Sequence, residues 1–455
     1  LSETLAPFTS LSLTLSSSPT LMAMFRSLSV CAVLSCAAGV VSAQQRTVTL
    51  ADALRLSERV QPDVVRASSA IRTAGAQRRN AWGSFLPTVT ANSSGNEFYT
   101  EGEPRLDPVT GQITGGNTSN RSISTGLSAS IDLFTGFRRR AELRAARAGE
   151  DAAEASFIDA RFQQALTTTN QFLDALAAGQ LLRVRESSVR RAEEQLKVSV
   201  AKLHTGSATR SDSLRSLVTL GNAKLDQLTT QTDLAAAEAN LARLIGETGR
   251  VRAADDSAFY AVVPELDPQA LRAEAESKSP RVQSALANAA AARSSVSASR
   301  SAYWPTLALS GTTNWSGSQS NDYNFLNQSQ LSLGLRWNLF DRFDRELAIT
   351  QREADRDVAE ATAADARLGV AADLELRLAE LESAKSRIEI TRTSVVAAGE
   401  DLRVQQERYR LGAATIVDVL TSQEALNQAE VDVVNARFDY LRARAQIEAL
   451  IGRKL

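Results

Sequence analysis

The segment RYRLGAATIVDVL, residues 408–420, interrupts with Gly412 what otherwise reads as one long helix. A second segment, KLHTGSATRSDSL at 202–214, carries Gly206 at the matching place, 206 positions earlier. Upstream of each glycine the chain lacks helix breakers. Residues 137–205 contain no proline and only Gly149 and Gly179; residues 342–411 contain no proline and only Gly369 and Gly399. Helices of that length run roughly 100 Å at 1.5 Å per residue, and the returning helices, about 39 residues each, roughly 58 Å. Glycine readily takes the left-handed conformation that closes a helix C-terminus. Thr209 or Ser211, and Thr415, offer N-caps for the helices that follow. Gly206 and Gly412 are therefore expected at the tips of two helical hairpins.

The correspondence extends outward. VQPDVVRASSA (60–70) pairs with KSPRVQSALAN (278–288), and FLPTVTA (85–91) with YWPTLAL (303–309). DLFTGFRRRAEL (132–143) pairs with NLFDRFDRELAI (338–349), and the ARLIG that ends at Gly246 with the EALIG that ends at Gly452. Pro62 to Pro87 and Pro280 to Pro305 are both 25 positions. Four landmarks in order, with spacings held, predict an internally duplicated chain: a first repeat over 44–255, a linker over 256–267 and a second repeat over 268–455. Each repeat reads as helix, strand, loop, strand, long helix, turn, shorter helix. The leading helices are expected to be continuous over 50–85 and 271–304, so that each long helix lies beside two shorter ones stacked end to end.

Strands are expected at 88–99, 122–134, 306–317 and 328–340. In 330–339 the apolar residues Leu331, Leu333, Leu335, Trp337 and Leu339 alternate with Ser332, Gly334, Arg336 and Asn338. Such alternation fits either a half-buried soluble strand or a lipid-facing barrel strand. All four tryptophans, Trp82, Trp304, Trp315 and Trp337, lie in or beside these segments, and aromatics concentrate at membrane interfaces. Four strands cannot close a barrel, since the smallest outer-membrane barrels have about eight. The chain is then soluble, or it shares a barrel with other copies.

Residues 1–23 read as upstream read-through, and MFRSLSVCAVLSCAAGVVSA (24–43) as a secretory signal with a small-residue cleavage site before Gln44. A weaker reading makes Cys36 a lipidated residue, because VLSC loosely resembles a lipobox. Both cysteines, Cys31 and Cys36, fall in this signal, so the mature chain is expected to lack disulfides and thiol chemistry. With 51 Lys+Arg against 52 Asp+Glu among 455 residues, no basic excess exists to bind nucleic acid. No phosphate loop, Ser/His/Asp set or metal motif stands out. His204, the single histidine, reads as a solvated helix-end residue. An enzyme is not expected, nor any cofactor.

The last helix carries a heptad seam: Val419, Ser422, Leu426, Ala429, Val433, Ala436, Tyr440, Ala443, Ile447 and Leu450. One row is large and the other mostly alanine, as interdigitating helices require.

The duplicated proline frame, the paired FLPT/YWPT and DLFTGFRRR/NLFDRFDRE motifs, and above all the run from YRLGAATIVDVL to IEALIG give a chain that resembles the TolC family of outer-membrane factors over nearly its whole mature length. The resemblance implies a mixed α/β membrane protein of the Gram-negative outer membrane: a homotrimer whose twelve strands, four per chain, form one β-barrel continuing into a long periplasmic α-helical barrel. It implies an exit duct of a tripartite efflux pump or type I secretion system, for small molecules or proteins. Its partners would be outer-membrane lipid, a periplasmic adaptor docking near Gly206 and Gly412, and an inner-membrane transporter. Asp418 falls on the position of a constriction-ring carboxylate, with Thr421 where a second acid is usual and Ser211 close by on the other hairpin. Tyr409 matches an aromatic that holds the closed state by bonding an acid of the other hairpin, here Asp212. Ala414 replaces a basic gate residue. Without the resemblance, Asp418 reads as an exposed acid favoured by a helix N-terminus. The competing function is a periplasmic coiled-coil structural or adaptor protein without a pore, which should carry a compact β-rich domain splitting its hairpin.

Overall fold

The computed structural model describes residues 46–106, 108–114, 118–256 and 267–455. The read-through, the signal with Cys31 and Cys36, and most of the linker lie outside the described residues. The chain runs β1 (Thr47–Val48), α1 (Leu50–Val60), α2 (Pro62–Gly83), β2 (Thr88–Thr100), β3 (Arg105–Leu106), β4 (Ile113–Thr114), β5 (Thr118–Phe134), α3 (Arg138–His204), α4 (Arg210–Ile245), β6 (Arg252–Ala253), α5 (Pro268–Lys278), α6 (Pro280–Ser299), β7 (Thr306–Ser318), β8 (Leu326–Arg336), α7 (Asp344–Arg410) and α8 (Ile416–Ile451).

The leading helices are not continuous. Gln61 and Ser279 are extended, with ψ of 129° and 131°, and each separates two helices. The cause is the following proline. Its ring disfavours helical backbone at the residue before it, while its own fixed φ suits the first position of a new helix. These breaks are where the returning helices end. The Gln61 side-chain amide donates to the carbonyl of Leu244. Gly246, at φ 77°, lies so close to Val60 that a Cβ there would come within 2.8 Å of its Cγ1. A Cβ at Gly452 (φ 74°) would sit 3.1 Å from the Pro280 ring. Along its length α3 contacts α2 and α6 on one portion and α4 on another; α7 contacts α6, α5 and α8.

Both hairpin turns close in the same way. Gly206 has φ 72° and Gly412 φ 80°. The N–H of Ser207 donates to Lys202 O (2.8 Å) and that of Ala413 to Arg408 O (2.7 Å), which satisfies carbonyls that the helix ends would leave open. No atom lies within 4 Å of a Cβ built at either glycine, so the left-handed backbone alone calls for glycine at the tips.

The core sits between helices. At the level of the β1–β6 parallel pair, Phe172, Leu241, Ile245 and Phe438 pack with Val48 and Ala253. A second cluster holds Leu271, Val282, Val370, Leu374 and Ile447, and a third near the tip holds Leu402, Tyr409, Ile416, Val419 and Leu426. Along α8, Val419, Ser422, Leu426, Ala429, Ala436, Ala443 and Ile447 are buried; Val433, Tyr440 and Leu450 are only partly so. A second row, Val434, Phe438 and Leu441, is also buried. A two-helix seam does not account for it. The reason is that α8 packs on α3 as well as on α7, so it buries two faces.

One antiparallel sheet of four strands has the order β2-β5-β7-β8. Its register places Thr88, Ser130, Ser310 and Ser332 in one row and Val89, Ala129, Gly311 and Leu331 in the next. Hydroxyls bond along the polar rows, Thr88 to Ser130 and Ser310 to Ser332 at 2.7 Å each. On the other face Leu309 lies between Ile131 and Leu333. Every residue of β2 and β8 is exposed in the single chain. β8 ends at Arg336, short of the expected 340. There Trp337 Nε1 donates to Tyr303 O (3.2 Å) and Arg345 Nη1 to Asn338 O (3.2 Å), and the chain turns into α7 through Arg342 (φ 59°) and Phe343 (φ 70°). The passage from β5 to α3 uses Gly136 (φ 60°) and Phe137 (φ 66°). Left-handed phenylalanine is uncommon; here edge-to-face packing on Phe134 (5.4 Å) and Trp304 (5.8 Å), and of Phe343 on Phe340 (5.7 Å), holds it.

The glycines separate experimentally. Gly206→Ala should lower stability by about 1 kcal/mol, the left-handed penalty of an alanine. Gly246→Ala should be clearly worse, because Val60 must also move. Thermal loss of helical circular dichroism in the two variants checks this, and equal midpoints would contradict the packing at Gly246.

Candidate functional site

The tips bring together the first turns of α4 and α8 with the last turns of α3 and α7. Thr209 and Thr415 are the N-caps, and each forms a reciprocal capping box with the acid three residues on. Asp212 Oδ2 accepts from Thr209 N at 2.9 Å. Asp418 Oδ2 accepts from Thr415 N and from its hydroxyl, both at 2.8 Å. The Thr415 backbone bond, then its hydroxyl, and more weakly the charge of Arg408 hold the Asp418 carboxyl below the usual carboxylate range. Asp418 is exposed. Ser211 is not a cap; it lies in the first turn of α4.

An open groove runs between α4 and α8 behind these turns. Ser211, Leu214, Arg215, Val417, Thr421 and Glu424 are among its lining residues. The structure thus brings Ser211 and Thr421 to one surface. Asp418 stays with its capping partner.

Tyr409 stands differently from expectation. It is 5% exposed, and its hydroxyl is buried with no hydrogen-bond partner. The expected bond to Asp212 is not made within the chain; the Asp212 carboxylate accepts from the N–H of Thr209 at its own helix start. Instead Lys202 Nζ sits 4.4 Å from the centre of the Tyr409 ring and donates to the Tyr409 carbonyl. Sequence reasoning missed Lys202. A signal existed: Lys202 and Arg408 each precede a tip glycine by four residues. It also missed Arg191, whose guanidinium meets Glu430 (2.6 and 3.1 Å) and Asn427 (2.7 Å) across the hairpins. No local pattern pairs residues 239 positions apart.

Among the described residues no group of three or more His, Cys, Asp or Glu side chains is placed to hold a metal ion. Nor is any helix long and apolar enough to cross a membrane.

The lowered Asp418 carboxyl has a pH consequence. A depressed folded value contributes tip stability above the unfolded carboxylate value of about 3.9, and that contribution is lost as pH falls through the lower folded value. Asp418→Ala should therefore quicken amide exchange over 412–420 at neutral pH, and this segment should lose part of its acid dependence. Exchange measured by mass spectrometry between pH 3 and 7 (about the range over which a carboxylate titrates) reads both effects; wild-type rates in the variant would count against the capping box.

The comparisons with known proteins agree with this architecture. The family model described as outer membrane efflux protein matches residues 40–247 and 271–453. The pyoverdine export outer membrane protein OpmQ of Pseudomonas aeruginosa is 26% identical over 345 residues, covering 74% of this chain and 72% of its own. The outer membrane protein TolC of Escherichia coli is 22% identical over 344 residues, 72% of this chain and 70% of its own. The CmeC outer membrane channel of Campylobacter jejuni shares the fold, with a TM-score of 0.74 over 89% of this chain and 85% of that one at 15% identity. Two long hairpins, a four-stranded sheet at the opposite end and a family match through both make this chain a member of the outer membrane efflux protein family, a TolC-type efflux channel of the Gram-negative outer membrane that extends into the periplasm.

Proposed function

We propose that three copies of this chain close one twelve-stranded barrel, and that the trimer is the exit duct of a tripartite efflux pump. The observation that carries the reading is the sheet. Its edge strands, β2 and β8, present 13 and 11 residues of unpaired backbone edge. In a bilayer every such group must be paired, which only a closed barrel achieves. Pairing β8 of one copy with β2 of the next satisfies both edges. The hydroxyl rows then face the lumen and the rows of Leu309, Leu331, Leu333 and Leu335 face lipid. The exposed apolar residues Leu214, Leu217, Val218, Leu225 and Leu228 of α4 support contact between neighbouring copies along the helices.

In this trimer the two halves of the chain, 44–255 and 268–455, act as equivalent staves. The hairpin ends would converge on the axis, with Asp418, Thr421 and Ser211 around the narrowest level. The turns at Gly206 and Gly412 would receive the periplasmic adaptor, which links the duct to an inner-membrane transporter. Small exported molecules are the proposed cargo, in keeping with relatives such as OpmQ. The competing adaptor reading needs a β-rich domain within a hairpin, and among the described residues each long helix reaches its tip without one.

Two measurements test the reading. The mass of detergent-solubilised mature protein should be that of three chains, and a stable monomer with full β-content would sink the model. Leu333→Arg should hinder insertion by about 2–4 kcal/mol near the bilayer midplane, while Ser332→Arg is tolerated. Equal yields of both variants in outer-membrane fractions would place this strand outside the membrane.

A further inference from the structure

We infer that Lys202 is the clasp that joins the two helical hairpins at their tips and thereby restrains opening of the duct there. The gating part rests on the duct reading above; the clasp itself stands on the contacts of the single chain.

Three cationic ties cross between α3 and the second hairpin at successive levels. Arg442 reaches Asp174 at 2.7 Å, Arg191 reaches Glu430 at 2.6 Å, and Lys202 reaches Tyr409. On α3 the three levels, 174, 191 and 202, span roughly 42 Å by helix rise. The first two join carboxylates of α3 or α8 to an arginine. The third, nearest the tips, has a different chemistry. Its ammonium lies over an aromatic face, 4.4 Å from the ring centre, and donates to a carbonyl in the final turn of α7. A cation is attracted both to the ring face and to the negative end of the helix dipole.

The surroundings fix this arrangement. Val198, one turn before Lys202, packs against the cluster of Leu402, Tyr409, Ile416, Val419 and Leu426. The same side of α3 therefore supplies an apolar contact and a charge to the second hairpin. The Tyr409 hydroxyl contributes no bond, so the ring is what Lys202 uses. Asp212 and Asp418 each accept from the N-cap threonine of their own helix. Arg408, the counterpart of Lys202, folds back on its own turn, with Nη2 3.3 Å from Ala413 O. Separating the hairpins at the tips requires the ammonium to leave both the ring and the carbonyl.

The test uses the full trimer in detergent, with amide exchange over 198–206 and 405–412 followed at constant pH. Lys202→Met keeps the stem and removes the charge. It should quicken exchange on both sides by about threefold, the factor that a modest cation–π contact implies. Lys202→Arg and Tyr409→Phe should behave as wild type, because each retains cation and ring. Combining Lys202→Met with Tyr409→Leu should add nothing beyond the larger single effect. Wild-type exchange in Lys202→Met overturns the clasp. In planar bilayers Lys202→Met should also raise conductance. An unchanged conductance, where the wild type conducts, overturns the gating role. A wild type that forms no channel while Lys202→Met still loosens both segments leaves the clasp standing and defeats the duct reading instead.

Discussion

A 67-residue helix cannot bury itself, and this chain contains two of them. At roughly 100 Å each, they are longer than any other element, so each has to be covered by shorter helices meeting along its flank. The point where those helices meet is the constrained one. Extended Gln61 and Ser279 break the helix before Pro62 and Pro280, and the left-handed Gly246 and Gly452 bring the returning helix ends against Val60 and Pro280. A side chain at either glycine would have to displace Val60 or crowd the Pro280 ring, besides taking a left-handed backbone.

The two ends of the rods follow from that lateral packing. At one end, paired glycine turns and threonine caps reverse the chain within a few residues. At the other, the helices must join strands, and the joint is strained: Phe137, Arg342 and Phe343 all take left-handed backbone. Aromatic stacking and two cation–π contacts, Arg139 on Phe85 and Arg345 on Tyr303, offset the strain. These groups form an amphipathic collar at the foot of the sheet, a composition suited to a membrane interface. For a channel of this family the arrangement separates two jobs. In the trimer proposed above, the hydroxyl rows of the sheet would line the passage and the far tips would provide the restraint.

The hairpin turns were legible because helix ends are local chemistry. A glycine with the right flanks and a threonine beyond it suffice to place the turns at Gly206 and Gly412 and the caps Thr209 and Thr415, whereas the roles of Asp212 and Asp418 in capping boxes came from the structure. The Tyr409–Asp212 bond, an expectation from the family resemblance, is not made within the chain, where the Tyr409 hydroxyl is buried without a partner. Lys202 was overlooked because its partner is a ring face and a main-chain carbonyl, and neither leaves a mark in charge pattern. The fold was legible wherever period and punctuation agree, as in the alternating residues of β8. The fold departs from the sequence pattern at Pro62 and Pro280, where a proline divides a helix expected to be continuous, and after Arg336, where the strand ends although the apolar row runs on to Trp337 and Leu339.

By itself the sequence determined the elements whose signals are short in range: the two long helices, their glycine turns, the alternating strands and the matching order of motifs in the two halves. Tertiary structure decided which faces those elements spend on one another. α8 buries two rows because α3 and α7 flank it, and Arg191 finds Glu430, 239 positions later, because the fold returns the chain to that level. Lys202 turns to Tyr409 although Arg408, in the same relation to its glycine, turns back on itself. Backbone conformation is set by neighbours within a turn or two, whereas the choice of a side chain's partner depends on what packing brings within a few ångströms.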